Sequence, residues 1–530
     1  MSERVSAAGA GEPGPLVAVG PELPPDLVHH LEAPADRMLA RAADRWPHRT
    51  AVIDQDGRVT FAGLEDAVGR LAHRLRARLG GSGAVVGVSA QLSIDYVVAY
   101  YAVLRSGNVI APLNPLLPGP MLAHNLSRVE AALVLATPEV AERLAQVRGQ
   151  LPAGMLVTGL SEARGPGRPG AEPAILPERA PADPACVLFT SGTTGMPKAV
   201  VLSHHNITVN ALQVAQAHRL GPETVSLVNL PTYHPMHLNP AILSGAVQVL
   251  CPVPDVGTAI GLAREHRATH YYSMPVWLMR LATHTGLVET RLPELRVIAS
   301  GGSALPADAA DLLTKHFEVP VLQGYGLAET SPLTHSDEPV LPLRGSVGFP
   351  VARTECMVTD LDSGAPQPPG RSGEVRVRGP QVMLGYVGEE PGSHLDADGW
   401  FATGDVGRME PDGRLVLIDR IKDVFKRDNL LVSPGAIEKR LRAHPAVAEC
   451  VVVDYPDKFA GAVAAAFVVP EPGFEDRQID EIVAFANTEA PRYEHLEFVE
   501  VVEEIPRSAG GKVQRPYLRA EMLRRRRRGQ

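Results

Sequence analysis

The stretch Thr190-Ser191-Gly192-Thr193-Thr194-Gly195-Met196-Pro197-Lys198 lies between two apolar runs, Val187-Leu188-Phe189 before it and Ala199-Val200-Val201-Leu202 after it. This pattern predicts a strand, a tight loop and a second strand. The two glycines allow positive φ angles that bring backbone N–H groups close to an anion, and the hydroxyls and the lysine add further donors. The loop therefore has the chemistry of a phosphate site, although an ordinary Ser/Thr/Gly-rich hairpin turn has the same backbone requirements.

The loop is not of the G-x-x-x-x-G-K-[ST] type. Met196 and Pro197 follow Gly195 where that pattern requires Lys and Ser/Thr. Proline also prevents a direct entry into a helix interior, because it lacks the backbone N–H and clashes with the preceding turn. A different nucleotide-binding architecture is therefore expected.

The ordered run that ends in Pro197-Lys198 resembles the phosphate loop of the AMP-forming adenylating enzymes, which include acyl-CoA synthetases, peptide-synthetase adenylation domains and luciferases. The resemblance extends over nearly the whole chain. It implies that the loop holds the β- and γ-phosphates of ATP, with Mg²⁺ as a second cofactor. The residues assigned to ATP binding in this way are Thr190, Ser191, Gly192, Thr193, Thr194, Gly195 and Lys198.

A second motif, Gly324-Tyr325-Gly326-Leu327-Ala328-Glu329-Thr330, follows a predicted strand, so it lies at the carboxyl edge of a parallel sheet, where ligands bind. A glycine turn with a packed tyrosine is the simpler interpretation. The resemblance implies that Tyr325 stacks on adenine, that Glu329 helps to hold Mg²⁺, and that Gly302 and Ser303 frame the adenine edge. The family usually has threonine in place of Ala328, so one hydrogen bond of about 0.5–1.5 kcal/mol is expected to be absent.

A third motif, Trp400-Phe401-Ala402-Thr403-Gly404-Asp405, ends in a carboxylate whose two oxygens suit two adjacent ribose hydroxyls. A surface aspartate in a turn is the alternative. The run Asp419-Arg420-Ile421-Lys422 completes the resemblance, which implies that Asp405 and Arg420 bind the ribose. It also implies that Lys422 is the hinge about which a C-terminal domain turns.

The last motif, Pro506-Arg507-Ser508-Ala509-Gly510-Gly511-Lys512, is a Gly-rich loop in which a lone lysine would normally be solvated. The resemblance instead makes Lys512 a catalytic residue. Its ammonium group would bridge the attacking oxyanion and the α-phosphate, stabilising the charge that develops during transfer. Lys512 is expected to act in adenylate formation only.

The acceptor end of the site departs from the family. In the family, an aromatic residue and a histidine open the acyl pocket, and Tyr233 and His234 occupy that place in this chain. His234 is equally compatible with a buried histidine whose hydrogen bonds are satisfied within the core. His237 replaces a common glycine, and the segment from His234 to Gly245 is shorter by about one helical turn. The predicted substrate pocket comprises Tyr233, His234, His237 and Asn239.

The use of CoA is an open question at this stage. Asn429 stands where a glycine normally lines the pantetheine tunnel. Asparagine tolerates the left-handed conformation, but its side chain would obstruct the tunnel.

The expected fold class is α/β. The 530 residues exceed one hydrophobic core, and helical and strand patterns alternate from Ala35 onward. The predicted divisions are a flexible lead-in (1–34), a large nucleotide- and substrate-binding domain (35–420) and a mobile C-terminal α/β lid (421–530). The large domain is expected to hold two flavodoxin-like βα subdomains and, over 345–417, a distorted β-barrel.

Composition excludes several other classes. With 51 Lys+Arg against 60 Asp+Glu the net charge is −9, so no general basic surface for nucleic acid is expected. The run Arg524 to Arg528 is interpreted as a solvated tail, with a membrane or nucleic-acid patch as the alternative. The four cysteines have no paired spacing, which fits a reducing cytoplasm. No stretch is apolar enough to span a membrane, and the N-terminus lacks signal-peptide character.

The sequence therefore predicts an ATP-dependent ligase that converts a small carboxylate into acyl-AMP and transfers it to CoA or another acceptor. The alternative resembles the diazotising members of the same family, which activate nitrite with ATP and pass nitrosonium to an arylamine. A nucleotide-binding protein without activity is disfavoured, because Lys198, Glu329, Asp405, Arg420 and Lys512 are all present.

Overall fold

The computed structural model describes residues 14–165, 177–190, 197–253, 255–340, 342–390, 392–428, 430–473, 478–488, 490–507 and 513–528. Its strands are β1 (Val17–Val19), β2 (Thr50–Asp54), β3 (Gly57–Thr60), β4 (Val85–Ser89), β5 (Val109–Leu113), β6 (Leu133–Ala136), β7 (Leu156–Gly159), β8 (Pro184–Phe189), β9 (Ala199–Ser203), β10 (Val225–Asn229), β11 (Val247–Leu250), β12 (His270–Ser273), β13 (Val297–Ser300), β14 (Val321–Gly326), β15 (Leu333–Ser336), β16 (Phe349–Pro350), β17 (Glu355–Thr359), β18 (Ser372–Arg378), β19 (Gly385–Tyr386), β20 (Phe401–Met409), β21 (Leu415–Arg420), β22 (Phe425–Arg427), β23 (Leu430–Val432), β24 (Val447–Asp457), β25 (Gly461–Pro470) and β26 (Leu496–Val501).

The α-helices are α1 (Arg37–Arg45), α2 (Phe61–Leu79), α3 (Ile94–Arg105), α4 (Gly119–Arg128), α5 (Pro138–Gln146), α6 (His204–Ala217), α7 (Pro235–Leu243), α8 (Val256–Glu265), α9 (Pro275–Ala282), α10 (Ala307–Phe317), α11 (Pro434–Leu441), α12 (Gln478–Asn487) and α13 (Arg515–Arg528). Short 3₁₀ helices span Pro25–Glu32, Arg148–Gln150, Leu160–Arg164, Ala328–Thr330 and Arg492–Glu494.

Seven of the described strands form one sheet in the order β19-β9-β8-β5-β4-β6-β7. From β8 to β7 the neighbours are parallel, whereas β9 and β19 are antiparallel additions at one edge. The hairpin β8–β9 confirms the predicted strand–loop–strand unit, since Phe189 pairs with Ala199 on either side of the loop. The phosphate-loop candidate therefore connects two strands at this edge of the sheet.

Nine described strands form a second sheet in the order β16-β15-β14-β13-β12-β10-β11-β2-β3. The run from β14 to β2 is parallel, and the outer strands are antiparallel. Pairing of Ser300 with Gln323 brings the ends of β13 and β14 to the same edge. This register positions the turn after β13 beside the glycine-rich end of β14.

Helix α3 lies in the common core of the large domain, and every residue from Ile94 to Leu104 except Asp95 is buried. A helix that is apolar on nearly all sides is typical of such an interior position. Ser93 caps its first turn by accepting a hydrogen bond from the backbone of Tyr96. Together with the two sheets of mostly parallel strands, this buried helix confirms the predicted α/β fold class.

A separate antiparallel sheet, in the order β1-β17-β18-β20-β21, forms the predicted β-rich region. Its predicted bounds of 345–417 are wrong in detail. Phe349–Pro350 pairs with the nine-stranded sheet, and Gly385–Tyr386 pairs with the edge strand β9 of the seven-stranded sheet. Short alternating strands carry no local signal for the sheet they join, because that choice depends on distant partners.

The flexible lead-in predicted for residues 1–34 does not match the described part of that segment, which begins at residue 14. Val17–Val19 pairs with β17 and so extends the antiparallel sheet by one strand. Gly20 lies so close to Val351 that an added Cβ would be 1.9 Å from its carbonyl oxygen. The Ala-, Gly- and Pro-rich composition concealed a strand that is stabilised by backbone pairing with a distant partner.

The C-terminal region has a sheet of its own, in the order β23-β22-β25-β24 with β26 paired to β25. It also has its own core, from Phe425 to Val499. Asp419, at the end of the large domain, accepts hydrogen bonds from Ser433 and from the backbone of Gly435 at the start of α11. The predicted lid is therefore a compact unit joined to β21 through Asp419.

The arginine run lies on helix α13, and part of it is paired. Arg524 and Arg525 contact Glu521, and Arg526 lies 3.3 Å from Glu500. The four cysteines are free and buried. Among the helices that the structure describes, none combines the length and apolar character needed to cross a bilayer.

Candidate functional site

The third and second sequence motifs meet through Tyr325 and Asp405. The hydroxyl of Tyr325 donates to Asp405 Oδ2 at 2.5 Å, and Arg420 Nε lies 3.0 Å from Oδ1. Asp405 and Arg420 are direct cross-strand partners on β20 and β21. Three residues predicted to bind adenine and ribose therefore form one connected group.

Burial decides the protonation of this group. It raises the pKa of the Tyr325 phenol well above its usual value of 10, and the neighbouring Asp405 carboxylate raises it further. Tyr325 is therefore neutral at physiological pH and acts as the donor. Arg420 offsets the charge of Asp405, and a carboxylate of this kind accepts hydrogen bonds from hydroxyl donors.

The phosphate-loop candidate is described only at its two ends. The backbone N–H of Thr190 donates to the carbonyl of Lys198 at 2.9 Å, which closes the base of the loop. Ser191, Gly192, Thr193, Thr194 and Gly195 lie outside the described residues, so their predicted contacts to phosphate stay predictions.

Lys198 faces a residue that the sequence did not single out. Its ammonium group lies 4.2 Å from the ring centroid of Tyr386 and 3.8 Å from Glu389 Oε1. The lysine is about half exposed, so these contacts are weak and exchangeable. Lys198 is therefore available to an anion that enters beside Tyr386.

Glu329 lies on the same side of this tyrosine. The hydroxyl of Tyr386 donates to Glu329 Oε1 at 2.9 Å. Burial and the Glu329 carboxylate both raise the pKa of the Tyr386 phenol, which keeps it a donor. Tyr386 thus connects the predicted phosphate lysine with the predicted metal ligand.

The residues present fit a magnesium ion. Glu329 Oε2 has no hydrogen-bond or ion-pair partner among the described residues, whereas Oε1 is fixed by Tyr386. Mg²⁺ in nucleotide sites is commonly bound by one or two carboxylates together with substrate phosphates and water. Glu329 would supply that carboxylate, and the ion would neutralise phosphate charge when bound.

Gly302 and Ser303 lie directly after β13 and are exposed. Gly302 has a φ of +86°, which permits the turn at this point. Because β13 and β14 pair through Ser300 and Gln323, this turn lies next to Gly324. The structure therefore places the predicted adenine-edge residues at the same sheet edge as Tyr325.

At the end of β14, Gly326 allows a close backbone approach. A Cβ at Gly326 would lie 1.9 Å from the carbonyl oxygen of Pro332, so no side chain fits there. Glycine at this position brings the chain to Glu329 in a tight turn, the 3₁₀ segment Ala328–Thr330.

Two of the four predicted pocket residues lie in the core. Tyr233 is 1% exposed and donates to Gln248 Oε1. Asn239 is 2% exposed; its amide accepts from Tyr101 at 2.8 Å and donates to Tyr100 at 3.0 Å. Both side chains are thus engaged in the interior, where a buried polar group requires partners.

The two histidines of the predicted pocket are only partly buried. Nδ1 of His234 accepts from the backbone of Met236 at 3.1 Å, so its proton lies on Nε2. The ring of His237 lies 5.0 Å from that of Tyr272, whose hydroxyl is 3.0 Å from His218 Nδ1. A patch rich in imidazole therefore surrounds the start of α7.

These histidines are neutral at physiological pH. Burial lowers the pKa of His234 to about 4 and that of His237 to about 3, with the neighbouring histidines adding to the shift at His237. Within the described part of the chain, the ring nitrogens of His237 have no hydrogen-bond partner. They are thus available to a ligand as one donor and one acceptor.

Three predicted residues are not brought to the site by the described structure. Lys512 and Asn429 lie outside the described residues, and their assignments stay predictions. Lys422 lies in the turn directly after β21, at the junction with the first lid strand. Its place agrees with a hinge, and that role stays a prediction.

Sequence reasoning missed Tyr386, Glu389, His218 and Tyr272. The pattern places the pair Gly385-Tyr386 in the predicted β-barrel, and only the pairing of β19 with β9 shows that Tyr386 lies beside Lys198. His218 and Tyr272 lie on different elements, so no spacing rule connects them. The sequence offered one local signal for Tyr386: it is an aromatic residue that directly follows a glycine, in a region where the strand pattern is weak.

The connected groups define the class of protein. Tyr325, at the end of a parallel run of strands, meets Asp405 and Arg420 of the antiparallel sheet at the predicted nucleoside position, and Lys198 and Glu329 meet at Tyr386 at the predicted phosphate position. This is the arrangement of an AMP-forming, adenylate-forming enzyme of the acyl-CoA synthetase type.

Comparisons with known proteins agree. The profile described as "AMP-binding enzyme" matches residues 39–387, and "AMP-binding enzyme C-terminal domain" matches 436–512. The chain therefore belongs to the AMP-binding enzyme family.

Among relatives, a feruloyl-CoA synthase of Amycolatopsis sp is 32% identical over 92% of this chain and 97% of its own. A 4-coumarate–CoA ligase of Oryza sativa subsp. japonica is 29% identical over 92% of this chain and 94% of its own. ATP-bound MatB from Rhodopseudomonas palustris has a TM-score of 0.83 at 28% identity, covering 92% of this chain and 99% of that one.

Proposed function

We propose that this enzyme activates a carboxylate with ATP and Mg²⁺ and transfers the acyl group to the thiol of CoA. A carboxylate oxygen attacks the α-phosphorus of ATP, the bond to the β-phosphate oxygen breaks, and pyrophosphate leaves. The thiolate then attacks the acyl carbon, and AMP leaves with the electron pair of the mixed-anhydride bond. The group Tyr325–Asp405–Arg420 carries the ATP assignment, because its neutral phenol, anchored carboxylate and arginine suit a nucleoside.

The charged residues near the proposed phosphates support adenylate formation, the first step. Lys198 and Glu329 both contact the side chain of Tyr386, so a cation and the proposed metal-binding carboxylate lie close together. Lys512 is proposed to stabilise the α-phosphate during attack. Positioning and electrostatic stabilisation are the main protein contributions in such transfers.

The named relatives support the acceptor. The feruloyl-CoA synthase and the 4-coumarate–CoA ligase are named for CoA thioesters of aromatic acids, and this chain covers nearly all of each. CoA is therefore proposed as the acceptor in spite of Asn429.

The activated acid is proposed to be small and polar. His237 stands in place of a glycine, and its ring nitrogens have no partner in the described structure. His234 offers Nε2 as a donor, since Nδ1 accepts from the backbone. Two neutral imidazoles suit a short or aromatic acid with a hydrogen-bonding group better than an alkyl chain, because buried polar groups left unpaired are costly.

Nitrite is the second candidate for the activated acid. The observation that favours it is the same imidazole patch of His234, His237 and His218, which would suit a compact oxyanion. The named relatives are CoA ligases and lend it no support. It is therefore ranked below a carboxylate.

The test is AMP release from ATP with a panel of acids: acetate, benzoates, hydroxycinnamates, octanoate and nitrite. Each acid is paired with CoA and with an aminohydroxybenzoate. A hydroxycinnamate or benzoate with CoA as the best pair supports the proposal. Octanoate with CoA as the clear best pair contradicts the small polar pocket, and nitrite with the arylamine replaces the proposal with the second candidate.

Pyrophosphate exchange separates all of these from an inactive nucleotide-binding protein. A protein that binds ATP without exchange for any acid of the panel would contradict the enzyme assignment. His237→Gly serves as the matched pocket variant. It should widen acceptance toward octanoate, since it restores the volume that glycine leaves open.

A further inference from the structure

Tyr386 contacts both charged groups of the predicted triphosphate site. Its hydroxyl donates to Glu329 Oε1 at 2.9 Å, and its ring face lies 4.2 Å from the Lys198 ammonium. The two interactions use different parts of one side chain. Substitution can therefore separate them.

Backbone pairing fixes the position of Tyr386. It lies opposite Val200 on β9, the strand that begins immediately after Lys198, and the N–H of Val387 donates to Ala199 at 2.9 Å. A residue on β19 is thereby held within reach of the phosphate-loop lysine.

The chain that precedes Tyr386 is anchored as well. The side-chain amide of Asn206 donates to the carbonyls of Pro380 and Val382 at 2.8 and 2.9 Å. The N–H of Met383 donates to the backbone carbonyl of Glu329 at 2.9 Å. The glutamate and the tyrosine are thus held against each other by backbone as well as side-chain bonds.

We propose that Tyr386 is a positioning residue for magnesium: its hydroxyl fixes one oxygen of Glu329 so that the other meets the ion that accompanies ATP. The proposal rests on the proposed function for the identity of the nucleotide. In this proposal the hydroxyl of Tyr386 acts on metal binding through Glu329, whereas its ring contacts Lys198. Outer partners that orient a metal-binding carboxylate commonly change metal affinity by about 10–100-fold when they are removed.

The geometry supports this division. Oε2 of Glu329 has no protein partner in the described structure, while Oε1 is held. Loss of the hydroxyl would let the carboxylate rotate about its terminal torsion, which is a soft one. The carboxylate would then have to become ordered when the metal binds, and this loss of conformational freedom would weaken metal binding.

The experiment measures ATP affinity by calorimetry without any acid substrate, once with Mg²⁺ and once with EDTA. In the wild type Mg²⁺ should tighten ATP binding. Tyr386→Phe keeps the ring and removes the hydroxyl, so it should reduce the Mg²⁺-dependent tightening by about tenfold. Affinity in EDTA should stay within about twofold, because the Lys198 contact is kept.

A double-mutant cycle with Glu329→Gln isolates the pair. Glu329→Gln should abolish the tightening, and Tyr386→Phe in that background should add nothing. Tyr517→Phe, the same chemical change at a half-exposed lid residue, is the control and should behave as the wild type.

Two results would overturn the proposal: an equal loss of ATP affinity with and without Mg²⁺ in Tyr386→Phe, or additive losses in the double variant. The measurement contains no acid, so failure of the acid panel contradicts the proposed function and not the positioning by Tyr386. A wild type that shows no Mg²⁺-dependent binding contradicts both.

Discussion

The phenolic oxygen of Tyr325 donates to Asp405 Oδ2 at 2.5 Å, while Arg420 Nε lies 3.0 Å from the other carboxylate oxygen. Tyr325 and Asp405 are 80 residues apart in the chain. A carboxylate held from both sides cannot turn away from a ligand, so its remaining lone pairs have fixed directions. This preorganisation favours two adjacent hydroxyls over one.

Replacement of Asp405 should weaken ATP binding. Asp405→Ala removes a charge-assisted pair of hydrogen bonds, and a loss of about 1–3 kcal/mol is expected. Calorimetry with ATP and deoxyribose ATP measures it, and discrimination between the two should fall together with the affinity. Unchanged affinity and unchanged discrimination would mean that Asp405 does not contact the ribose.

Tyr325→Phe is the matched variant of the same group. It keeps the ring for stacking and releases Asp405 Oδ2. ATP affinity should therefore change less than in Asp405→Ala. A larger loss in Tyr325→Phe would show that the hydroxyl, and not the ring, carries the contribution of this residue.

Replacement of Lys512 should strongly slow the first half-reaction, the formation of the adenylate. Lys512→Ala is expected to lower pyrophosphate exchange by about a hundredfold or more, the scale of losing one preorganised charge donor. Thioester formation from a supplied acyl-adenylate should persist, and the circular dichroism spectrum should match the wild type. Near wild-type exchange would remove Lys512 from the mechanism.

Buried histidines should make the fold sensitive to acid. Burial lowers the pKa of His218 to about 3, below its unfolded value near 6.5, so between these values only the unfolded state binds the proton. Protonation of His218 therefore does not lower the free energy of unfolding above about pH 6.5. Below that pH, it lowers the free energy of unfolding by about 1.4 kcal/mol per pH unit.

His218→Gln tests this sign. Denaturant unfolding at pH 7, 6, 5 and 4 should show a shallower loss of stability in the variant, by about 1.4 kcal/mol per unit. The exposed His48→Gln is the control and should keep the wild-type slope. Parallel slopes in wild type and His218→Gln would contradict a neutral buried His218.

Gly245 should tolerate no side chain. Its φ is +70°, and an added Cβ would lie 2.5 Å from the Trp46 ring. Gly245→Ala is expected to destabilise the fold by about 2–4 kcal/mol through strain and overpacking. Gly261→Ala, inside α8 with open space around it, should instead stabilise by about 0.5–1 kcal/mol. Denaturant midpoints compare the two, and equal effects would contradict the steric argument.

The sequence by itself determined the local elements and their chemistry. The strand–loop–strand unit around Lys198, the buried helix α3 and the glycine-rich end of β14 follow from apolar spacing and from glycine and proline positions. Those signals act over a few residues through backbone sterics, so they are readable in the chain. The alternation of helical and strand patterns indicated the α/β class, the resemblance of the motifs indicated the family, and both were confirmed.

Tertiary structure decided which distant residues meet. Tyr386 and Glu329 are 57 residues apart, and only the pairing of β19 with β9 brings them together. Tyr233 and Asn239, predicted to line a pocket, are buried in the core. Their polar groups are satisfied there by hydrogen bonds to Gln248, Tyr100 and Tyr101. Strand partners and burial depend on contacts across the whole fold, and no local pattern encodes them.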